Sequence, residues 1–163
     1  MAKQGGTELF VESAEPPFSE LPLARLLKRW PEGFYRFTAT GAEGTTIVGS
    51  ARLTHDLPDG PKLVSPFPGD GPQDPAQTVV RWRSVAAAKG SPIIGYQVLV
   101  VQPSTGLKAL PKVTLDVTMP PTATSLAVPP GFLLPGTEYE WEVLAIERGG
   151  NQTLSSSTFT TAG

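Results

Sequence analysis

The chain has 163 residues, 13 Lys and Arg against 15 Asp and Glu, a net charge of −2 and a pI near 5.4. An acidic balance disfavours nucleic-acid binding, because neutralising phosphates needs a basic surface. The absence of cysteine excludes disulfides, zinc–thiolate sites and cysteine nucleophiles.

Charged residues make up 17% and mean hydropathy is −0.06, as in a globular rather than a disordered chain. The 17 glycines and 18 prolines are spread through the sequence, where they punctuate many short strands. No apolar run is long enough to span a bilayer.

The first residues, Met1-Ala2-Lys3-Gln4-Gly5-Gly6, lack the apolar segment of a signal peptide. Either the protein is not exported, or its signal has been removed. Thr7–Val11 reads as a short strand. Ser19 suits a helix N-cap, with Pro22 in the first turn, where a missing N–H is harmless. Leu23, Leu26, Leu27 and Trp30 recur at helical spacing and form one apolar stripe. Arg25, Lys28 and Arg29 lie off that stripe, and Pro31 ends the helix. Residues 34–40 and 45–54 then read as two strands joined by Gly41-Ala42-Glu43-Gly44. One helix and one hairpin make a thin core, so residues 1–58 are expected to pack on the larger C-terminal part of the chain rather than stand alone. His55 to Pro61, with Pro58, Gly60 and Pro61, marks the division.

Seven further strands are predicted, over residues 62–65, 78–83, 93–102, 112–118, 125–128, 139–148 and 153–160. Inward positions include Val80 and Trp82, then Tyr96, Val98 and Val100, then Val113, Leu115 and Val117. In the sixth strand Tyr139, Trp141, Val143 and Ala145 share one face, and Glu138, Glu140 and Glu142 share the other. Seven short alternating strands in about 100 residues fit a β-sandwich.

Three features carry a family resemblance: Trp82 in the second of these strands, Gly95-Tyr96 in the third, and the corner Leu133-Leu134-Pro135-Gly136-Thr137-Glu138-Tyr139 before the sixth. Residues 61–162 thus resemble a fibronectin type III domain. The resemblance implies a mainly β fold, a seven-stranded immunoglobulin-like sandwich preceded by a small helix-plus-hairpin unit. It also implies a Tyr139 hydroxyl bonded to nearby backbone, so that Tyr139→Phe strands a buried backbone acceptor. Some members bind integrins through Arg-Gly-Asp between the last two strands. This chain has Arg148-Gly149-Gly150-Asn151 there, without the acidic residue. Residues 1–58 fall outside the family pattern and look similar to leader modules of uncharacterised bacterial fibronectin type III proteins.

No residue set emerges as catalytic, cofactor-binding or metal-ligating, and no cofactor is expected. His55-Asp56 is a neighbour pair without a nucleophile, which reads as an ordinary surface histidine. Asp56, Asp59, Asp70 and Asp74 lie in Gly/Pro-rich loops but lack calcium-loop spacing, and read as solvated acids. Glu138, Glu140 and Glu142 stand about 7 Å apart, a separation compatible with glycoside hydrolysis only in a cleft. They read as a solvent face that discourages edge aggregation. Trp30, Trp82 and Trp141 would stack on sugars if exposed, and are expected in the core. Asn151-Gln152-Thr153 is a glycosylation sequon. Arg25, Lys28, Arg29 and Arg36 form a modest basic cluster.

Fold and residues together point to a non-enzymatic extracellular or cell-envelope module for protein contacts, spacing or self-assembly. Its partner would be another protein or another copy, reached by strand addition through Thr7–Val11. The alternative is a carbohydrate-binding or glycosidase-accessory domain.

Overall fold

A computed structural model describes residues 19–87, 89–102 and 112–163. Thr7–Val11 lies outside the described residues. The chain divides into two units, Met1–His55 and Asp56–Gly163.

In the first unit, helix α1 spans Leu23–Arg29 and starts directly after Pro22. The Pro22 carbonyl accepts from the amides of Arg25 (2.8 Å) and Leu26 (3.2 Å). No side chain caps this end, so the expected Ser19 N-cap is corrected. Ser19 lies three residues ahead of the boundary, too far for its hydroxyl to serve the first free amides. The other end closes through Trp30 N–H to the Leu26 carbonyl at 3.0 Å, and Pro31 cannot continue the helix.

Strands β1 (Gly33–Thr40) and β2 (Thr46–Leu53) form an antiparallel hairpin. Its turn is closed by Gly41 N–H to the Thr45 carbonyl at 2.7 Å. Directly paired residues share a face, so Tyr35, Phe37, Ala39, Ile47, Ala51 and Leu53 line one side. Phe34, Arg36, Thr38, Val48, Ser50 and Arg52 line the other. None of the described residues of this unit is buried. Trp30, expected in the core, is instead 39% exposed. It lies past the last helical turn, where its ring leans on Tyr35 at 6.2 Å instead of entering a closed interior.

The second unit holds seven strands: β3 (Leu63–Ser65), β4 (Val79–Trp82), β5 (Ile93–Val101), β6 (Thr114–Met119), β7 (Ser125–Ala127), β8 (Glu138–Glu147) and β9 (Gln152–Thr160). They form two antiparallel sheets, β3-β4-β7 and β6-β5-β8-β9. Period-two alternation sends one face of each strand inward, and the two inner faces share one core, as in a β-sandwich. Tyr139, Trp141, Val143 and Ala145 on β8 are all fully buried, as are Tyr96, Val98 and Val100 on β5. Val113, expected inward, precedes β6 and is exposed.

Specific contacts fix how the sheets meet. The Trp141 indole N–H donates to the Pro66 carbonyl, beyond β3, at 3.0 Å. Trp82 meets Tyr96 edge-on at 5.6 Å, and the Tyr96 hydroxyl accepts from Val85 N–H at 2.8 Å. Gly95 sits where a Cβ would lie 3.0 Å from the Met119 carbonyl oxygen, so a side chain would push β5 and β6 apart. Where the chain turns into β8, Gly136 adopts a left-handed φ of 59° and donates to the Ala162 carbonyl at 2.9 Å.

The Tyr139 hydroxyl accepts from Leu134 N–H at 2.8 Å, five residues upstream. The expected bond is present with its polarity reversed: the corner satisfies a backbone donor, not an acceptor. Leu134 is held on its other side too, because the buried Thr161 hydroxyl donates to its carbonyl at 2.6 Å. Tyr139→Phe keeps the shape but strands that amide, so a loss of about 1–3 kcal/mol is expected in chemical denaturation.

Candidate functional site

The turn between β8 and β9 is organised from within by Glu147. Its parity places it on the inward face with Ala145, and it is fully buried. The carboxylate accepts from the Ser91 hydroxyl (2.5 Å), Gly149 N–H (2.6 Å) and Asn151 N–H (2.9 Å). Burial, the largest single influence, pushes its pKa up. Hydrogen bonds from Gly149, Ser91 and both the backbone and the side chain of Asn151 outweigh this and hold the group below its ordinary value. The carboxylate locks a turn and leaves Arg148, Gly149 and Gly150 on the outside. Asn151, the sequon residue, is half-buried and its side chain is engaged with Glu147.

His55 is engaged with residues of its own unit. Its backbone N–H donates to a Glu32 carboxylate oxygen at 2.6 Å, and its ring Nε2 lies 2.7 Å from the Trp30 carbonyl. Because a carbonyl only accepts, Nε2 carries the proton. The histidine thus ties the chain after β2 to the end of α1.

Two of the loop acids likewise hold backbone: Asp70 accepts from Phe67 N–H at 2.9 Å, and Asp74 accepts from Ala76 N–H at 2.8 Å and also from the Gln77 side-chain Nε2 at 2.9 Å. Among the described residues, no three His, Asp or Glu side chains gather as metal ligands. Among those residues, no helix is long and apolar enough to cross a membrane.

Glu138, Glu140 and Glu142 point away from the core along β8, on an open sheet face rather than in a cleft. β8 lies inside its sheet, between β5 and β9, so the expected protection of an exposed edge is corrected: the edges are β6 and β9. Strand pairing sets Glu140 beside Val101 and Glu142 beside Leu99, which in turn faces Asp116. Leu144 stands between Gln97 and Leu154. The outer face therefore mixes acids with aliphatic side chains, and β5, β6, β8 and β9 contain no Lys or Arg.

Trp82 and Trp141 are buried, so neither offers a surface for sugar stacking. The exposed aromatics are elsewhere. Phe34 is 80% exposed on one hairpin face, and Phe37 is exposed on the other, which also carries Tyr35, whose ring lies 6.2 Å from that of Trp30. Sequence reasoning placed the apolar stripes but not their exposure. Arg25, Lys28, Arg29 and Arg36 are all exposed or half-exposed, the first three on α1 and the last on β1.

No curated protein matches this chain. Among solved structures, the third fibronectin III domain of the human KIAA0343 protein, in solution, is 21% identical. The match covers 76% of this chain and 95% of that one, with a TM-score of 0.48. The family model for the fibronectin type III domain matches residues 71–161. That stretch is more than half of the sequence and runs from the loop before β4 to the end of β9, so the chain belongs to the fibronectin type III family.

Proposed function

We propose that this chain is a non-enzymatic module of the extracellular space or cell envelope that mediates protein contacts, spaces its neighbours or assembles with itself. The observation that carries this reading is the exposure of large apolar side chains on sheet faces: Phe34 at 80%, Ile47 at 58% and Val48 at 51%. Phe34 and Val48 share one face of the hairpin and Ile47 lies on the other, and large apolar side chains left on a surface support a contact role. The extracellular or envelope setting is supported by the family resemblance alone.

Thr7–Val11 supplies a second mode of contact on the strength of its sequence. It is short, partly apolar and preceded by Gly5-Gly6. Such a segment adds to an open sheet edge through main-chain hydrogen bonds, in its own copy or another. Removing residues 1–12 is expected to lower the solution mass if copies assemble through it, or the melting temperature if it docks on its own chain. Light scattering and thermal melts read both. No change in either removes the strand-addition reading.

A carbohydrate-binding role is the second reading, favoured by the aromatic group of Trp30, Tyr35 and Phe37. Glycan-array binding that disappears in Trp30→Ala would establish it in place of protein contacts.

A further inference from the structure

A sheet that does not close has two edges, and the edges of this sandwich are not alike. β3 and β7 are three residues long, too short to hold a partner strand. β9 is covered at both ends. Gln73 N–H donates to the Thr160 carbonyl at 2.8 Å, and the Gln73 carbonyl accepts from Ala162 N–H at 2.8 Å. At the other end the Thr153 hydroxyl donates to the Pro58 carbonyl at 2.6 Å, and Gly60 passes so close that a Cβ would lie 2.7 Å from the Ser155 hydroxyl oxygen. On the free side of β6 no such bond exists among the described residues.

Register tells which groups β6 leaves open. Gln102 N–H donates to the Val113 carbonyl at 3.0 Å. Every second pair from there bonds likewise: Val100 with Leu115, Val98 with Val117 and Tyr96 with Met119. Thr114, Asp116 and Thr118, between them, turn their N–H and C=O groups away from β5, about 7 Å apart. None of these groups has a backbone partner among the described residues. The register runs without a bulge, and the strand holds no Pro or Lys to discourage pairing. Leu115, Val117 and Met119 share the core-facing side with Val98 and Val100, yet they are only half-buried where those two are fully buried. A further strand would complete their cover. The outer side presents Asp116, which accepts from the neutral Gln97 Nε2 at 3.0 and 2.9 Å, and neither β5 nor β6 contains Lys or Arg.

We propose that β6 takes an extended segment of another protein as an added strand, with Val, Ile or Leu at alternate positions over Leu115 and Val117 and Lys or Arg between them beside Asp116. This names the site and the partner's chemistry within the reading above and rests on it. Main-chain hydrogen bonds supply the attachment, while the half-covered aliphatic row and the acid select the sequence. Thr7–Val11 does not suit this edge. With Leu9 and Val11 turned inward, Glu8 would share the outer side with Asp116, like charge beside like. Every group the contact uses lies within the one unit Asp56–Gly163.

The test uses the full chain and a capped peptide that alternates Lys with Val over about six residues, the length of β6. Amide hydrogen exchange, read residue by residue by NMR, should slow at least tenfold at Thr114, Asp116 and Thr118 under saturating peptide, with β3 and β7 unchanged. A peptide alternating Glu with Val should leave all of them unchanged. Asp116→Lys should exchange the two preferences. Thr118→Pro removes an outward N–H, a change an edge strand tolerates, and should abolish protection while keeping the wild-type circular dichroism spectrum. If that variant misfolds, the exchanged preference of Asp116→Lys decides. No protection by the Lys–Val peptide at millimolar concentration overturns the proposal. Equal protection by both peptides does so too, as does peptide binding that leaves these amides exchanging freely. Protection that grows with protein concentration alone assigns the edge to a second copy and overturns the proposed partner. The wider reading stands on the exposed hairpin side chains, which none of these variants touches.

Discussion

Trp141→Ala is expected to lower stability by about 3–5 kcal/mol, as large an effect as any single change should have on this fold. Trp141 is fully buried in the middle of β8, between Val100 on β5 and Ser157 on β9. Truncation loses the transfer energy of a large aromatic and leaves a cavity where two sheets meet. It also strands the Pro66 carbonyl, which receives the indole N–H at 3.0 Å. Trp141→Phe separates the terms: it refills most of the volume and leaves mainly the stranded carbonyl. Urea denaturation of both variants measures the difference. A Trp141→Ala midpoint within error of the wild type would mean that the sheets are not joined through this side chain.

Glu147→Ala should cost about 3 kcal/mol or more, because hydrogen bonds to a charged group contribute about 1.5–3 kcal/mol each and several are lost together. Gly149 and Asn151 would keep amides pointed at an empty site, and Ser91 would lose its acceptor. The effect depends on pH. The folded pKa is lowered relative to the unfolded one, so the unfolded chain binds the proton first as acid is added. The stabilisation is therefore complete above the unfolded value, about 4.3. It is lost as pH falls through the lower folded value. Glu147→Gln should flatten the stability profile in that acidic window, with little left to lose there. Melting temperatures of wild type and variant between neutral pH and pH about 3 test this. Parallel curves would show that the carboxylate's proton is not linked to folding.

Much of the sandwich was legible because strand periodicity is a strong signal. The alternation Tyr139-Glu140-Trp141-Glu142-Val143 allows only one assignment of faces, and the buried residues follow it. The corner was readable for a different reason: Leu133-Leu134-Pro135-Gly136-Thr137-Glu138-Tyr139 resembles the family's corner motif. Glu147 was missed although the same parity points it inward. Its charge argued for solvent, and its partners Ser91 and Asn151 come from two different loops, which no local pattern reveals. Trp30 fails in the opposite sense. A helical stripe shows which side of a helix is apolar, not whether anything covers it. In α1, Leu26 and Leu27 are half-buried while Leu23 and Trp30 stay exposed.

The commitment of the Asn151 side chain to Glu147 bears on how the protein matures. An oligosaccharide can be attached only to an asparagine nitrogen that faces outward. Once the β8–β9 turn has closed, that nitrogen is occupied from the inside, and the finished molecule is a poor acceptor. A chain modified while still emerging would carry its sugar into the turn and keep one side-chain N–H of Asn151 to offer Glu147, beside the donors Ser91, Gly149 and the Asn151 backbone. In a host that glycosylates this sequon, sugar addition and hairpin closure thus compete, and the order of events decides which molecule is made.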